Sequence, residues 1–499
     1  MDIDWICQRV MLTETESLLE YRIMFEGRYM MRNILIIVSD QLSWKALPVY
    51  GGIAKTPNID RISKGAVAFD QCYTPVPLCM PARASFWSGV YPHETGVLSN
   101  IGGHAIPAGL PTIGEVFKQA GYDTVHFGKT HDAGALKGFL CEEEGSLEVE
   151  GTQAWPVSKD TKRDRFTTEK SVAYLEEIRD SEKPFFMIVD FVNPHDICSW
   201  TGENKGIHDD VNPGCPLPPL PPNFEFDDIE NRPDAVKYIC CSNTRQAQAS
   251  EWSSESFRHY LAAYYHYIHR VDAEIGLVLD ALEITGKYED TLILFMSDHG
   301  DSMACHGKVT KAVDFYEETN RVPFIFNFPE YRNQPSRQEH VLTSLLDLFP
   351  TLCSYVGIEH PTMLRGENLM PLIMEKEMLD REYIIGQWYS ERNFSISPGR
   401  MVRTKDYKYT YYIHDGEELF DLVKDPYETK NVAGHASYAE QMERHRRLLK
   451  DHIEKTKDNF MDLYWQELND DLRWRSHEIG YGKHRGPSVG EVGKGLVRG

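Results

Sequence analysis

Two apolar runs that end in an acid limit what this chain can fold into. Asn33-Ile-Leu-Ile-Ile-Val-Ser-Asp40 and Thr291-Leu-Ile-Leu-Phe-Met-Ser-Asp298 are continuous rather than alternating and rich in β-branched or bulky residues. That pattern suits strands buried on both faces of a parallel sheet. Pro184 to His195 repeats it and closes on polar residues, and Tyr122 to Phe127 supplies a further strand. Open α/β sheets bind ligands beyond the carboxyl ends of their strands. Asp40, Gln41, Lys129, His131, His195, Asp298 and His299 all follow such ends in this sequence. A strand-end Asp can equally cap the next helix, and a loop Lys or His is ordinarily solvated.

A second feature is Cys79-Met-Pro-Ala-Arg83, running on into Ala84-Ser-Phe-Trp-Ser-Gly89. Proline is favoured in a first helical turn, where its missing N–H costs nothing. Cys79 then sits at a helix N-terminus, where free N–H groups and the macrodipole favour negative charge. Arg83 lies one turn on, on the same side. A nucleophile-type residue, a helix N-terminus and a guanidinium thus converge on one anion-sized space. A cysteine simply packed near a helix start is the competing reading.

The formal charge of −23, from 53 basic and 76 acidic residues, argues against nucleic acid as the partner. An acidic protein that takes an anionic substrate must gather its cations in the cleft. No apolar run approaches the roughly 20 residues that span a bilayer. The ten cysteines have no zinc-type spacing and read as reduced thiols, with Cys240-Cys241 packed rather than crosslinked. Residues 1–30 carry Asp2, Asp4, Glu14, Glu16, Glu20 and Glu26, which break any signal-peptide core. Met30-Met31 is an alternative start, and the expected location is the cytoplasm, with the periplasm as the alternative.

Elsewhere, residues 141–170 read as an acidic surface insertion of the kind that shapes a pocket. Pro213 to Pro222 is too proline-dense for helix or sheet interior. Ser256 to Glu283 reads as one helix whose Leu261, Tyr264, Ile268, Val271, Ile275, Val278 and Leu282 form a core stripe. Arg400 to Ile413 alternates as an antiparallel strand, and helical periodicity then runs to about Leu472. Trp87, Trp155, Trp200 and Trp252 are candidates to stack on sugar rings, though most tryptophans are core.

The Cys-x-Pro-x-Arg stretch, in its setting from Thr74 to His93, resembles the signature of the type I sulfatases. Other motifs follow in the family's order: Asp40-Gln41 where many members carry Asp-Asp, Thr56-Pro-Asn-Ile-Asp60, Gly128-Lys-Thr-His131 where Gly-Lys-Trp-His is usual, the Pro194-His195 step, Asp298-His-Gly300, the Phe315-Tyr-Glu-Glu318 block with Arg321-Val-Pro323, and Glu418-Leu-Phe-Asp421. The resemblance covers residues 32–435. It implies a large mixed, mostly parallel α/β sheet flanked by helices, with a smaller C-terminal α+β subdomain. The expected organisation is an extension at 1–30, a catalytic domain at 31–375, the subdomain at 376–475 and a Gly-rich tail at 476–499.

The resemblance also implies that Cys79 is oxidised to formylglycine by a maturation enzyme, and that its hydrated aldehyde is the nucleophile on a sulfate ester, as of a sulfated sugar. Asp40, Gln41, the Cys79-derived group, Asp298 and His299 would hold one divalent cation. Calcium suits such a site, and a His ligand admits magnesium or manganese. Arg83 and Lys129 would hold the sulfate. His195 or Lys311 would protonate the leaving alcohol, with Lys308 the alternative lysine, and His131 would deprotonate the second diol oxygen. Phosphonate monoester or phosphodiester hydrolysis, and non-catalytic anion binding, are the rival functions.

Overall fold

The computed structural model describes residues 32–460 except 101–103, 143–160, 205–216, 226–227, 229–230, 238–243, 250–251, 312–313, 390–397 and 414. Residues 1–30, the stretch from 461 to Leu472, the tail at 476–499, Trp155 and Cys240-Cys241 lie outside the described residues.

Strand β1 (Asn33–Ser39) is the centre of the main sheet. Its side chains alternate between two layers, as the pleat requires. Ile34, Ile36 and Val38 enter one hydrophobic core, and Leu35 and Ile37 enter the other. The remaining strands are β2 (Val67–Phe69), β4 (Asp123–Gly128), β5 (Leu140–Glu142), β6 (Phe185–Phe191), β7 (Thr291–Met296), β8 (Phe324–Asn327) and β9 (Arg337–Glu339). Their spatial order is β5-β4-β6-β1-β7-β8-β2-β9. β1 pairs in parallel with β6 and β7, so that Val38 aligns with Asp190 on one side and Met296 on the other. Only β8 runs antiparallel to its neighbours among these strands. A short parallel pair, β3 (Cys72–Tyr73) with β10 (Thr343–Ser344), lies apart from this sheet. The sheet is therefore mixed and mostly parallel.

One face is covered by the Cys79–Ser88 helix, whose Ala82, Ala84, Phe86 and Trp87 are buried. The other face is covered by the Ser254–Ile284 helix, which starts two residues earlier than its apolar stripe suggested because Ser253 caps the N–H of Ser256. A second helix, Thr161–Glu177, lies beside it. This corrects the reading of 141–170 as surface insertion: its last ten residues begin a helix packed on the sheet, with Thr167 and Ser171 fully buried or nearly so.

Residues 383–421 form a four-stranded antiparallel sheet of β11 (Tyr383–Trp388), β12 (Gly399–Thr404), β13 (Tyr407–Tyr412) and β14 (Gly416–Asp421). The single strand expected over Arg400–Ile413 is two strands, turned at Lys405-Asp406 where the Thr404 hydroxyl donates to the Tyr407 carbonyl. Met401, Tyr412 and Phe420 face the main core. Ile385, Val402, Tyr409 and Leu419 face the Ala439–Thr456 helix.

Candidate active site

Adjacent strands β4, β6, β1 and β7 deliver their carboxyl ends side by side, and the N-terminus of the Cys79–Ser88 helix faces them. Lys129 follows β4, Asp190 is the penultimate residue of β6, Asp40 follows β1, and Asp298 and His299 follow β7. Cys79 is at the centre. Its Sγ lies 3.1 Å from His299 Nε2, 2.8 Å from Lys311 Nζ and 3.9 Å from Asp40 Oδ1. The His131 and His195 side chains also act on the group at position 79. Burial alone would raise the thiol, but Lys129, Lys311 and His299 outweigh it and hold Cys79 well below the ordinary thiol range. The position is built for a negatively charged group.

Arg83 has no exposed surface, and its guanidinium is taken up by acids. Nε donates to Asp298 Oδ2 at 3.0 Å, one terminal nitrogen to Asp190, and the other reaches Asp40 Oδ2 at 3.4 Å. Arg83 therefore neutralises and aligns three carboxylates behind the site instead of reaching a sulfate directly. Lys129 Nζ also bonds Asp40. Burial and the Cys79 sulfur work against an ionised Asp40, yet Lys129, His195 and Arg83 keep its carboxyl below the usual range. Asp298 is pushed up by burial and by Asp40. Two close carboxylates of this kind repel unless a cation offsets them.

Asp40, Cys79, Asp298 and His299 offer ligand atoms that all lie within 4.8 Å of one another, and all four residues are buried. His299 Nδ1 is 2.9 Å from the Gly300 carbonyl, which fixes the proton there and leaves the Nε2 lone pair facing the cluster. Gly300 is needed for that fit, because a Cβ would stand 1.9 Å from the Glu318 carbonyl. Two carboxylates, one imidazole and the group at position 79 suit a hard divalent cation. Gln41 Oε1 accepts from Lys311 Nζ at 3.2 Å and faces the Cys198 thiol at 3.3 Å, while its amide nitrogen donates to Asp301 at 2.8 Å. Lys308 is turned away: it pairs with Asp314 at 2.9 Å and lies over the Tyr316 ring.

His195 is pulled down to about 3 by burial and by Lys311 and Lys129, with Asp40 opposing, so it is a neutral imidazole at neutral pH. Burial opposes the charge on Lys311, but Cys79, Cys198 and Asp40 keep it cationic. The sequence reading missed Asp190 and Asp301. An acid closing an apolar strand was the available signal for Asp190, and an acid two residues past Asp298-His299 was the signal for Asp301. Tyr260 was missed as well; its hydroxyl donates to Asp301 at 2.5 Å. Trp87, Trp200 and Trp252 are at most 5% exposed, and they pack edge-on or tilted against other rings, so they are core and not stacking platforms.

Fold and site together define a hydrolase that handles an anion at the carboxyl edge of an α/β sheet. The family model described as Sulfatase matches residues 32–358, and one described as N-sulphoglucosamine sulphohydrolase, C-terminal, matches residues 306–457. The chain belongs to the sulfatase family and is a sulfuric ester hydrolase. It is 42% identical over 467 residues to the Delta 4,5-hexuronate-2-O-sulfatase of Bacteroides thetaiotaomicron, covering 92% of this chain and 96% of that protein. A solved structure described as a 2-O GAG sulfatase superposes with a TM-score of 0.84 at 41% identity, covering 93% of this chain and 100% of the other. The phosphonate monoester hydrolase of Agrobacterium radiobacter, at 23% identity, TM-score 0.71 and 86% and 97% coverage, shares the fold. Sulfatases generally use formylglycine and a divalent metal, and this chain has a buried cluster suited to one.

Proposed function

We propose that this enzyme removes the 2-O-sulfate from a hexuronate of a sulfated saccharide, with Cys79 converted to formylglycine and calcium held by Asp40, Asp298 and His299. The reaction rests on the convergence of Lys311, His299, His131 and His195 on position 79. The sugar position rests on the 42% identity, over nearly the whole of both chains, to a protein named for that substrate.

The thiol in the structure stands in for the hydrated aldehyde, a geminal diol that supplies a nucleophilic oxygen at neutral pH. The cation, when bound, lowers the charge on the sulfuryl oxygens. The chain does the rest. Arg83 pairs with Asp40 and Asp298 and aligns them. Lys129, 5% exposed and bonded to Asp40, adds positive charge beside the anion. Lys311 is the charged proton donor for the departing alcohol, and His195 donates a hydrogen bond to the same oxygen as a neutral imidazole. His131 accepts the proton from the diol oxygen that does not attack.

The test is sulfate release from unsaturated disaccharides carrying 2-O-, 6-O- or N-sulfate, with an aryl sulfate and a phosphonate monoester alongside. Peptide mass checks conversion of Cys79 in the same sample. Release from the 2-O-sulfated substrate, lost in Cys79→Ala, is the expected result. Converted enzyme that cleaves the phosphonate ester in preference to every sulfate would overturn the reading, and preference for 6-O- or N-sulfate would overturn its sugar assignment.

A further inference from the structure

The Thr161–Glu177 helix carries none of the sequence motifs, yet Asp164 in its first turn grips the backbone just before His195. We propose that Asp164 is a positioning residue that holds the Val192–His195 turn, and so sets where the His195 imidazole stands against position 79. The proposal deepens the reading of the site above, since it rests on His195 acting there.

Asp164 is 3% exposed, and its carboxylate gathers three donors from that turn. Oδ1 accepts the Val192 N–H at 2.7 Å, while Oδ2 accepts the Asn193 N–H at 3.2 Å and the Asn193 side-chain amide at 2.7 Å. From the opposite side the Ser39 hydroxyl, next to Asp40, donates to the Asn193 carbonyl at 2.8 Å. The His195 N–H then bonds the Val192 carbonyl at 3.0 Å, and the His195 carbonyl accepts from Cys198 at 2.9 Å. The backbone that carries the imidazole is thus set by the same residue that Asp164 grips.

The helix is in turn fixed to its surroundings. Thr168 donates to Glu274 of the long helix at 2.7 Å. Beneath it, a Cβ at Gly128 would stand 2.1 Å from the Asp190 carbonyl and 2.8 Å from Thr167 Oγ1, so helix, β4 and β6 meet without slack. The grip is of the rigid kind that keeps a catalytic group within a fraction of an ångström of its place.

The side chain must be a carboxylate. Three N–H donors converge in a buried space, and an ionised carboxylate accepts all of them while offering no donor of its own. An asparagine would turn an NH2 toward at least one of them. Burial pushes Asp164 up to about 6 and the donors from Val192 and Asn193 act against it, so the group is ionised at neutral pH.

The experiment is a double-mutant cycle on the full, formylglycine-bearing chain, with Asp164→Asn, His195→Ala and the pair together. Conversion of position 79 is checked by mass, and folding by thermal melting. On a sulfated disaccharide, Asp164→Asn is expected to lower kcat about 10- to 100-fold with KM within about 3-fold. In the His195→Ala background the same substitution should change kcat by less than about 2-fold, because the residue it acts through is gone. Equal losses in both backgrounds would mean that Asp164 only supports the fold and would overturn the proposal. If Asp164→Asn does not fold, Asn193→Ala removes one of the three donors and takes its place in the cycle. A few-fold loss confined to the His195 background supports the proposal, and an unchanged kcat overturns it. The role of His195 itself is read separately. His195→Ala should slow the sugar sulfate far more than an aryl sulfate, whose stable leaving oxygen needs little hydrogen-bond support. Equal slowing would fail that reading of His195 and leave the coupling measured between Asp164 and His195 unaffected.

Discussion

Lys308 and Lys311 lie three residues apart and end in different places. Lys311 Nζ is 2.8 Å from Cys79 Sγ, whereas Lys308 is held by Asp314. Lys311→Met removes the cation beside position 79 and, with it, the proton donor proposed above, so kcat on a sugar sulfate should fall about 100-fold or more with the melting temperature little changed. Lys308→Met leaves Asp314 buried without its partner, so it should lower stability while kcat per folded molecule moves only a few-fold. Comparable kcat losses in the two variants would reverse the assignment. The sequence could place both lysines only within one loop, because the choice is made by Asp314, Gln41 and Cys198, which the fold brings in. The positions of Asp40, Asp298, His299, Lys129, His131 and His195 were legible, since each lies within four residues of the carboxyl end of an apolar strand. Asp190 was legible only as an acid near the end of an apolar strand; its partner Arg83 is 107 positions away, and nothing in the strand marks that pairing. Nor was the use of Arg83 legible, because spacing showed a guanidinium one turn from Cys79 but not the three carboxylates that absorb it.

At the scale of elements, the C-terminal sheet is fastened by buried ions as well as by apolar contact. Lys408 on β13 lies 2.8 Å from Glu317 and 2.6 Å from Glu428, and it donates to the Phe315 carbonyl at 2.7 Å. Burial and Glu317 push Glu428 up to about 8, so Lys408→Met chiefly leaves the buried Glu317 carboxylate short of its nearest cation, and removing one partner of such a buried pair costs about 3–5 kcal/mol. Urea unfolding should show a loss of that order, and a loss below about 1 kcal/mol would mean that Arg403 and Arg321 suffice for Glu317. On the outer side of the same sheet, the Ala439–Thr456 helix buries His452 edge-on to Tyr91 at 5.0 Å. Burial lowers His452 from 6.5 to about 4, with Asp458 opposing and His93 adding to the fall. The unfolded chain takes up this proton below pH 6.5 and the folded chain only below about 4, so the contribution is complete above pH 6.5 and is lost as pH falls through that window. The loss approaches roughly 3 kcal/mol by pH 4. His452→Phe keeps a ring and removes the proton, so its stability should fall less steeply than the native protein's between pH 6.5 and 4.5. Parallel slopes would place the acid sensitivity elsewhere. The helical period and the alternation of this region were readable in sequence. The turn at Lys405-Asp406 was not, because alternation continues unbroken through two strands that pair with each other.

The whole molecule carries a charge of −23 and acts on an anionic ester, so the local balance in the cleft has to differ from the global one. The centre supplies Arg83, Lys129 and Lys311 against Asp40, Asp190 and Asp298, three charges of each sign within one buried network. The side chains alone therefore leave the site near neutrality, and a divalent cation held by Asp40, Asp298 and His299, as proposed above, would turn it positive. That cation should govern both stability and anion affinity. A ligand bound only by the native state at about 1,000 times its Kd stabilises by about 4 kcal/mol. For a chain of this size that corresponds to several degrees in Tm. Protein stripped with a chelator should accordingly melt several degrees lower and lose detectable binding of inorganic sulfate by calorimetry, and added calcium should restore both. The two readouts separate the possible failures. A Tm that falls while sulfate still binds would assign the anion to Lys129 and Lys311 without the cation, and an unchanged Tm would mean that the two carboxylates are balanced by Arg83 and Lys129 alone.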